Sequence, residues 1–343
     1  MLSSTHVLSS KARPVYGSVT RSVKRSLQRP PVRPPDGGPA DRRPSLPEKA
    51  AQVKTDEANG RPTAPASRLA NTFMRFRRMT PVRLARDIAR ARRLIRAAPA
   101  PRPRPERPER LVVSLTTVPE RLDKLAPVLR SLIDQTVPAD RIIVWRPAVS
   151  RRTGLAYPQA GPVPDGVEVL TTTDEGPATK LLPALSAEPE AAVIVVDDDV
   201  IYPVDFLEQL LAGHRAHPDA AIGWRGWRIV DGVRAKRFPH IFATGVAAPT
   251  PVDILLGTWG YLVPPGAFDA AVHSFDGQPP EVRFVDDVWF SGHLARRGVR
   301  RLVIPAKGLP IETRASALAS LTEGPNSSGH NDRIAIDLFA PWW

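Results

Sequence analysis

The chain has 343 residues, of which 42% are apolar, no cysteine, and a formal net charge of +13. This length and apolar content suffice for a globular domain with a sizeable core, and the lack of cysteine excludes disulfides, thiolate metal sites and a cysteine nucleophile. The positive charge is concentrated in residues 1–110, with 26 Lys and Arg against 8 Asp and Glu, whereas residues 111–343 carry 22 against 27.

The basic N-terminal segment is rich in Pro, Arg and Ser, as in RPPVRPPDGGPADRRPSLP and APAPRPRPERPER. Such a composition buries too little apolar surface to offset the entropy of ordering, so residues 1–109 are predicted to form a largely disordered arm. Residues 67–98 are the exception and predict a basic amphipathic helix, which Pro81 is expected to break into two pieces. Its apolar residues recur on one face at Leu84, Ile88, Ala91 and Ile95.

A basic amphipathic helix suits a solvated linker, an anionic membrane surface or nucleic acid. Nucleic acid is disfavoured because the chain has no aromatic residues spaced for base stacking and no zinc-finger pattern. Neither a membrane-spanning apolar run nor the apolar region of a secretory signal is evident. The sequence therefore predicts a cytoplasmic protein, with peripheral contact to the inner face of the membrane as an open alternative, and it indicates no particular oligomeric state.

From residue 110 to residue 343, short apolar runs alternate with helical patterns. Strands are predicted at LVVSLTT (111–117), RIIVWRP (141–147), VEVLTTT (167–173), VIVVDDD (193–199), AAIGWRGWRIV (220–230), VDILLGTWGYLV (252–263) and RRLVIP (300–305). Helices are predicted after the first strand and at ATKLLPALSAE (178–188), FLEQLLAGHRA (206–216) and FVDDVWFSGHLARRG (284–298). This alternation predicts an α/β domain with a mostly parallel sheet covered on both faces, in which ligands gather at the carboxyl ends of the strands.

Three consecutive carboxylates, Asp197, Asp198 and Asp199, close one of these buried strands. In an extended chain Asp197 and Asp199 point the same way and Asp198 points the other way. Such a pair can bind Mg²⁺ or Mn²⁺ through one or two oxygens and leave coordination positions for substrate phosphates, where the ion would neutralise charge on a departing diphosphate. The alternative is a solvated turn, or a cap for the helix that begins near Pro203.

A second acidic pair, Asp286 and Asp287, opens a predicted helix. Acidic residues are stable at a helix N-terminus in any protein, so this pair alone is not diagnostic. In a catalytic role, one carboxylate would accept the proton of an attacking hydroxyl. Dinucleotide oxidoreductases, P-loop kinases and α/β-hydrolases are disfavoured because the chain has no GxGxxG after a strand, no GxxxxGK[ST] and no GxSxG.

Taken together, these motifs resemble a known family. The order SLTTVPERLDKLAPVLRSLIDQTVPADRIIVW, GPATKLLPAL, VIVVDDDVIYP, GWRG and VDDVWFSGHLARRG, over about residues 111–310, is similar to bacterial nucleotide-sugar glycosyltransferases of the GT-A fold, family 2-like. The resemblance implies a Rossmann-like GT-A domain that transfers a sugar from a nucleoside diphosphate donor to a hydroxyl of a glycan or lipid-linked acceptor. The QxxRW signature and membrane helices of processive synthases are absent, which favours transfer of a single sugar.

The resemblance also implies roles for particular residues. The DDD segment stands where the family carries its metal-binding DXD motif, with Asp199 and then Asp197 as ligands of Mn²⁺ or Mg²⁺ and His330 as a third candidate. Asp287 stands where the family carries its base, and Asp286 is the second candidate. The implied nucleotide-sugar-binding residues are Thr116, Thr117, Arg121, Lys180, Asp197, Asp198, Arg225, Arg228, Gly257, Trp259 and Gly260.

Two other classes of function remain open from the residues alone. A metal-dependent nucleotidyltransferase would share the acidic cluster but should have a Gly-rich, basic loop after its first strand, which SLTTVPERL does not provide. A non-catalytic module that binds glycans or acidic lipids would keep its ligand binding in an Asp199→Ala variant. The residues name neither the sugar nor the acceptor, and the stereochemistry of transfer stays open.

Overall fold

The computed structural model describes residues 79–151, 153–158, 163–317 and 329–343. Most of the predicted arm, including the part of the basic helix before residue 79, lies outside the described residues. The α-helices are α1 (Pro81–Arg96), α2 (Ala126–Ile133), α3 (Leu182–Ala187), α4 (Phe206–Ala216), α5 (Asp286–Arg296) and α6 (His330–Leu338). Short 3-10 helices span Pro119–Lys124, Gly176–Lys180, Ala235–Arg237, Ala270–His273, Pro280–Phe284, Arg314–Ala317 and Ala340–Trp342.

The strands form one large sheet and two small ones. They are β1 (Leu111–Thr116), β2 (Arg141–Pro147), β3 (Glu168–Thr172), β4 (Ala192–Val195), β5 (Val200–Ile201), β6 (Ala220–Gly223), β7 (Arg225–Trp227), β8 (His240–Phe242), β9 (Thr250–Pro251), β10 (Ile254–Leu255), β11 (Tyr261–Val263), β12 (Arg300–Val303) and β13 (Ile311–Glu312). The large sheet has the order β3-β2-β1-β4-β11-β6-β12-β9, and the small sheets are β10-β7-β8 and β13-β5.

The predicted α/β architecture, a mostly parallel sheet flanked by helices, is confirmed. Strands β1 to β4 are parallel neighbours, and β12 is parallel to β6. The exception at the centre is β11, which runs antiparallel to both β4 and β6. As a result, the turn that precedes β11 lies beside the end of β4, where the three aspartates follow.

Two of the predicted strands are wrong as single elements, because each is divided between two sheets. The run 220–230 splits into β6 and β7, and the run 252–263 splits into β10 and β11. The chain packs closely at the first split, where a Cβ on Gly223 would lie 2.7 Å from the Leu255 side chain. A turn with positive φ at Trp259 separates β10 from β11.

Helix α1 begins at Pro81, as its sequence suggests, with Thr80 as the N-cap. Its buried face differs from the predicted apolar stripe: Ala91 and Leu94 pack on Ile201 of β5, whereas Ile88 and Ile95 are 36% and 57% exposed. The difference arises because charged residues of the helix also face the domain. Their ion pairs join Arg83 to Asp205 and Arg90 to Asp134. No helix among the described residues has the length and apolar character needed to cross a bilayer.

An ion-pair cluster joins the residue after α3, Glu188, to the beginnings of β1 and β2. Its contribution to stability should depend on pH. Glu188, whose side chain is 7% exposed, accepts hydrogen bonds from Arg110 and Arg141. The hydrogen bond from Arg110, with help from Arg141, lowers the pKa of Glu188 to about 2.

Replacing Glu188 with glutamine should therefore lower the melting temperature at pH 7. A depressed folded-state pKa gives stability that is present above the ordinary value of 4.5 and is lost as the pH falls toward about 2. Melting curves of both proteins from pH 7 to pH 3 should converge as the pH falls. A difference that is constant with pH would contradict the role of the Glu188 charge.

Candidate active site

The three aspartates after β4 do not share one environment, because the chain bends at Asp198 and Asp199 and does not stay extended. The Thr117 hydroxyl donates to Asp198 Oδ2 at 2.6 Å. The Arg121 guanidinium lies between two carboxylates, with Nη1 at 2.7 Å from Asp198 Oδ1 and 3.1 Å from Asp199 Oδ2. Four residues predicted to meet at the donor site are thus in contact, and Asp198 faces the same cation as Asp199.

Asp197 faces a different set of groups. Its Oδ2 accepts a hydrogen bond of 3.2 Å from the Trp259 backbone N–H, and its own N–H donates to the Tyr202 hydroxyl at 2.7 Å. Burial raises the pKa of Asp197 to about 7; Lys180 opposes this shift, and the charge of Asp199 adds to it. This carboxylate is therefore stabilised as an anion only when additional positive charge is near.

The second acidic pair lies at the start of α5 and contacts Lys180. Lys180 Nζ is 2.8 Å from Asp286 Oδ2 and 3.7 Å from Asp287 Oδ1, and the Gly257 N–H donates to Asp287 Oδ1 at 2.8 Å. Burial alone would lower the pKa of Lys180, but Asp286 and then Asp287 raise it well above its usual value. Lys180 is therefore a fixed cation between the two acidic motifs.

One turn, residues 257–260, holds the two motifs together. Through its backbone N–H groups, Gly257 contacts Asp287 and Trp259 contacts Asp197. The turn is closed by the Gly260 N–H, which donates to the Gly257 carbonyl at 2.7 Å. Trp259 has φ of +77°, a conformation that costs a non-glycine residue about 1–2 kcal/mol.

Gly257 leaves room in this turn for the ends of the Lys180 and Asp287 side chains, which a side chain at position 257 would displace. A Cβ would lie 2.2 Å from Lys180 Nζ and 2.9 Å from Asp287 Oδ1. We expect Gly257→Ala to displace Lys180, to destabilise the domain by about 1–3 kcal/mol, and to reduce activity by more than this loss of stability explains. Urea unfolding and turnover of the same preparation provide the measurement. Gly166→Ala is the control, because its positive φ strains the backbone while its Cβ meets no atom within 4 Å.

Other predicted residues lie at differing positions around this centre. Arg225 packs its guanidinium over the Phe242 and Trp259 rings, at 5.2 and 5.9 Å from the ring centroids. Thr116 donates its hydroxyl to the Trp145 carbonyl within the sheet. Two more predicted residues, Arg228 after β7 and His330 at the start of α6, are exposed.

The carboxylates of this centre outnumber its cations. Asp197, Asp198, Asp199, Asp286 and Asp287 are five acidic groups, and Lys180 and Arg121 are the basic groups that contact them. Burial, and then the charge of Asp198, raises the pKa of Asp199 as well. Mg²⁺ or Mn²⁺ bound at this centre would take one or two of these carboxylates and complete its shell with phosphate oxygens and water. The described residues contain no group of three or more His, Asp or Glu that could hold a metal ion.

Sequence reasoning missed several tyrosines and one acid at this site. Tyr157 donates its hydroxyl to the Thr117 carbonyl at 2.6 Å, and Tyr202 orders the backbone of Asp197. The buried Tyr261 hydroxyl has no hydrogen-bond partner among the described residues. Asp332, two residues after His330, is buried and contributes to the raised pKa of Asp287, after burial and Asp286. Among these residues, only Tyr202 could have been suspected from the sequence, because it follows the three aspartates closely in VDDDVIYP.

Comparisons with known proteins show which family this domain resembles. Residues 115–268 match the model of the family "Glycosyl transferase family 2". Among solved structures, a mannosyltransferase from Pyrobaculum calidifontis, determined in complex with GDP-Man and Mn²⁺, is similar over 75% of this chain and 70% of its own, with 18% identity and a TM-score of 0.38. No curated protein sequence matches the chain. The family match confirms the resemblance seen in the sequence: residues 115–268, a little under half of the chain, are similar to family 2 glycosyltransferases, and the protein is a glycosyltransferase.

Proposed function

We propose that the protein transfers a single sugar from a nucleoside diphosphate sugar to an acceptor hydroxyl, with Asp197 and Asp199 holding Mg²⁺ or Mn²⁺ and Asp287 acting as the base. The observation that carries this proposal is the meeting of two acidic motifs, about ninety residues apart in sequence, through the backbone of one turn. The glycosyltransferase family match is independent support for glycosyl transfer. Neither observation favours a nucleotidyltransferase or a non-catalytic module.

At the donor side, the aspartates after β4 would bind the diphosphate through the ion. When bound, the divalent ion supplies positive charge that stabilises the departing nucleoside diphosphate. Arg121 is held between Asp198 and Asp199, and Thr117 fixes the far oxygen of Asp198. This pairing keeps the carboxylates in place before a substrate arrives, which reduces the entropy lost on binding.

At the acceptor side, Asp287 would remove the proton of the attacking hydroxyl. The acceptor oxygen forms a bond to the anomeric carbon, the bond from that carbon to the diphosphate breaks, and the hydroxyl proton moves to the carboxylate. The base must be ionised for this step. The nearby Lys180 and the Gly257 N–H both favour the ionised form, while burial and Asp286 oppose it.

The test is donor binding measured by thermal stabilisation. UDP, GDP, CDP and dTDP compounds should be screened with Mn²⁺, with Mg²⁺ and with EDTA, because a ligand of the native state raises the melting temperature. At a concentration of 100 Kd, the gain is about 2.7 kcal/mol, or roughly 5–10 °C for a domain of this size. We expect one nucleotide class to stabilise the chain only in the presence of metal.

Variants make the same test specific to the aspartates. Asp197→Asn and Asp199→Asn should lose the metal-dependent part of the stabilisation, whereas Asp123→Asn, an exposed acid on the neighbouring 3-10 helix, should retain it. If the nucleotide stabilises the variants and the parent equally, the assignment of the metal to these two aspartates is wrong.

A further inference from the structure

Helix α1 presents to solvent a face that the rest of the domain does not cover. Its domain-facing residues include Arg83, Arg90, Ala91 and Leu94, which form the ion pairs and apolar contacts described above. The exposed face consists of Val82, Ala85, Arg86, Ile88, Ala89, Arg92, Arg93, Ile95 and Arg96. Four of these residues are arginines and none is acidic, so the charge of the exposed face is entirely positive.

Aliphatic side chains belong to the same exposed face. Val82, Ile88 and Ile95 are 70%, 36% and 57% exposed, although a surface helix usually turns such residues toward the core. Ile88, Arg92 and Ile95 are neighbours, because residues three and four positions apart lie side by side on a helix. The exposed face of α1 therefore combines aliphatic and cationic groups along the length of the helix.

This combination fits an anionic lipid surface better than it fits nucleic acid. At a bilayer interface, aliphatic side chains enter the acyl boundary, while arginine side chains extend to the phosphates of the lipid headgroups. Nucleic acid would pair with the arginines but has no apolar region for the isoleucines, and α1 has no aromatic residue on which a base could stack. The sequence that leads into α1, FMRFRR at residues 73–78, adds apolar and basic residues of the same kind.

We propose that the exposed face of α1 is a docking surface for an anionic membrane. The helix lies in the plane of the interface, with Ile88 and Ile95 toward the acyl chains and the arginines at the level of the headgroups. The inference goes beyond the proposed function, because no step of sugar transfer requires it. Each arginine near an anionic bilayer raises the affinity by roughly fivefold, and salt screens this gain.

The attachment of α1 to the domain gives this surface a functional consequence. Ala91 and Leu94 pack on Ile201, which follows Asp199 by only two residues. The ion pairs of α1 with the domain hold the helix in this position. A membrane bound by α1 would therefore lie on a part of the domain that neighbours the acidic centre, and docking would fix the orientation of that centre relative to the membrane.

Co-sedimentation of the full chain with lipid vesicles tests the proposal. The probes are vesicles of phosphatidylcholine alone and vesicles that also contain phosphatidylglycerol, at an ionic strength of about 0.1 M. Replacing Arg86, Arg92 and Arg96 together with glutamine should weaken binding to the anionic vesicles by roughly tenfold or more. Arg93 is left unchanged because it contacts Asp134.

A second variant and a matched control make the test specific to α1, because the basic residues before α1 also favour anionic vesicles. Replacing Ile88 and Ile95 together with serine leaves the charge unchanged and should still weaken binding by roughly fivefold or more. The control replaces three arginines outside α1 with glutamine and should bind as the parent does. These exposed arginines are Arg234, Arg237 and Arg297.

A fluorescent label reports directly on contact with lipid. Because the chain has no cysteine, Ala89→Cys provides a single attachment site for an environment-sensitive fluorophore on the exposed face of α1. Its emission should shift to the blue when anionic vesicles are added. The same label at Asp219→Cys, an exposed position outside α1, should not respond.

The outcomes separate this inference from the proposed function. If both α1 variants bind anionic vesicles as tightly as the control does, α1 is not the docking surface. If only the arginine variant weakens vesicle binding, and it weakens binding to a DNA duplex by the same factor, the face is a nucleic-acid surface and the lipid assignment is wrong. Metal-dependent stabilisation by a nucleotide should be equal in all these variants, so its absence from the parent would contradict the proposed function and leave the docking surface intact.

Discussion

Replacing Asp287 with asparagine is expected to reduce glycosyl transfer by roughly 10²- to 10⁴-fold, the range that general base catalysis contributes. The substitution keeps the size of the side chain, and the amide oxygen can still accept the hydrogen bond from the Gly257 N–H. What it removes is the ability to take a proton from the acceptor. Steady-state kinetics should therefore show a lower kcat with little change in the KM for the donor.

Two further variants serve as a control for that result and as a test of the alternative base. Asp219→Asn, which changes an exposed acid paired with Arg300, should transfer sugar as the parent does. Asp286→Asn should mainly affect stability, because Asp286 is the nearest charge to Lys180. Full transfer by Asp287→Asn would exclude this residue as the base, and loss of transfer only in a folded Asp286→Asn variant would assign the base to its neighbour.

The large features of the fold could be predicted from the sequence because they depend on local patterns. The apolar runs at residues 111–117, 141–147 and 167–173 form parallel strands at nearly the predicted bounds. Because ligands gather at the carboxyl ends of such strands, the strand pattern also leads us to expect a ligand site at the acidic cluster after β4, and that expectation stays a prediction. The helix that begins at Asp286 was also predictable, since its acidic N-terminus and apolar spacing are both local signals.

What could not be predicted depends on contacts between residues far apart in the chain. The Lys180 ammonium meets Asp286 across more than a hundred residues, and no local pattern distinguishes this lysine from a solvated one. The turn at Trp259 lies in a run whose sequence is typical of the middle of a strand. Its positive φ is imposed by tertiary packing and has no local signal in the sequence. The packing of Phe339 on Gly292 requires the C-terminal segment to fold back on α5, which the sequence of either segment does not reveal.

The contact between α1 and the residues near the three aspartates could not be predicted either, because the sequence pattern of α1 indicated only its apolar stripe. Arg90 is the central residue of this contact. Its guanidinium donates to Asp134 Oδ2 at 2.8 Å, to the Tyr202 carbonyl at 2.6 Å and to the Ser131 carbonyl at 3.2 Å. The Tyr202 hydroxyl in turn accepts a hydrogen bond from the Asp197 N–H. Through Tyr202, Arg90 therefore links α1 to the backbone of Asp197, a candidate metal ligand.

We therefore expect Arg90→Met to destabilise the domain by about 3 kcal/mol. Breaking a buried ion pair usually costs about 3–5 kcal/mol, and the lower end applies because Arg93 still contacts Asp134 from a more exposed position. Urea unfolding gives the measurement, with Arg92→Met, an exposed arginine of the same helix, as the control. A double variant with Asp134→Asn should be less unstable than the sum of the two single changes, because the two side chains are in contact and each single change already removes their ion pair.

The same variants determine whether α1 matters only for stability. If the Tyr202 contact helps to order the chain after β4, Arg90→Met should also weaken metal-dependent donor stabilisation at a temperature where the protein is fully folded. Equal stabilities of Arg90→Met and Arg92→Met would mean that α1 does not depend on this contact. A destabilised Arg90→Met variant with unchanged donor binding would restrict the role of α1 to holding the domain together, since the order of Asp197 would then come from Trp259 and Tyr202 alone.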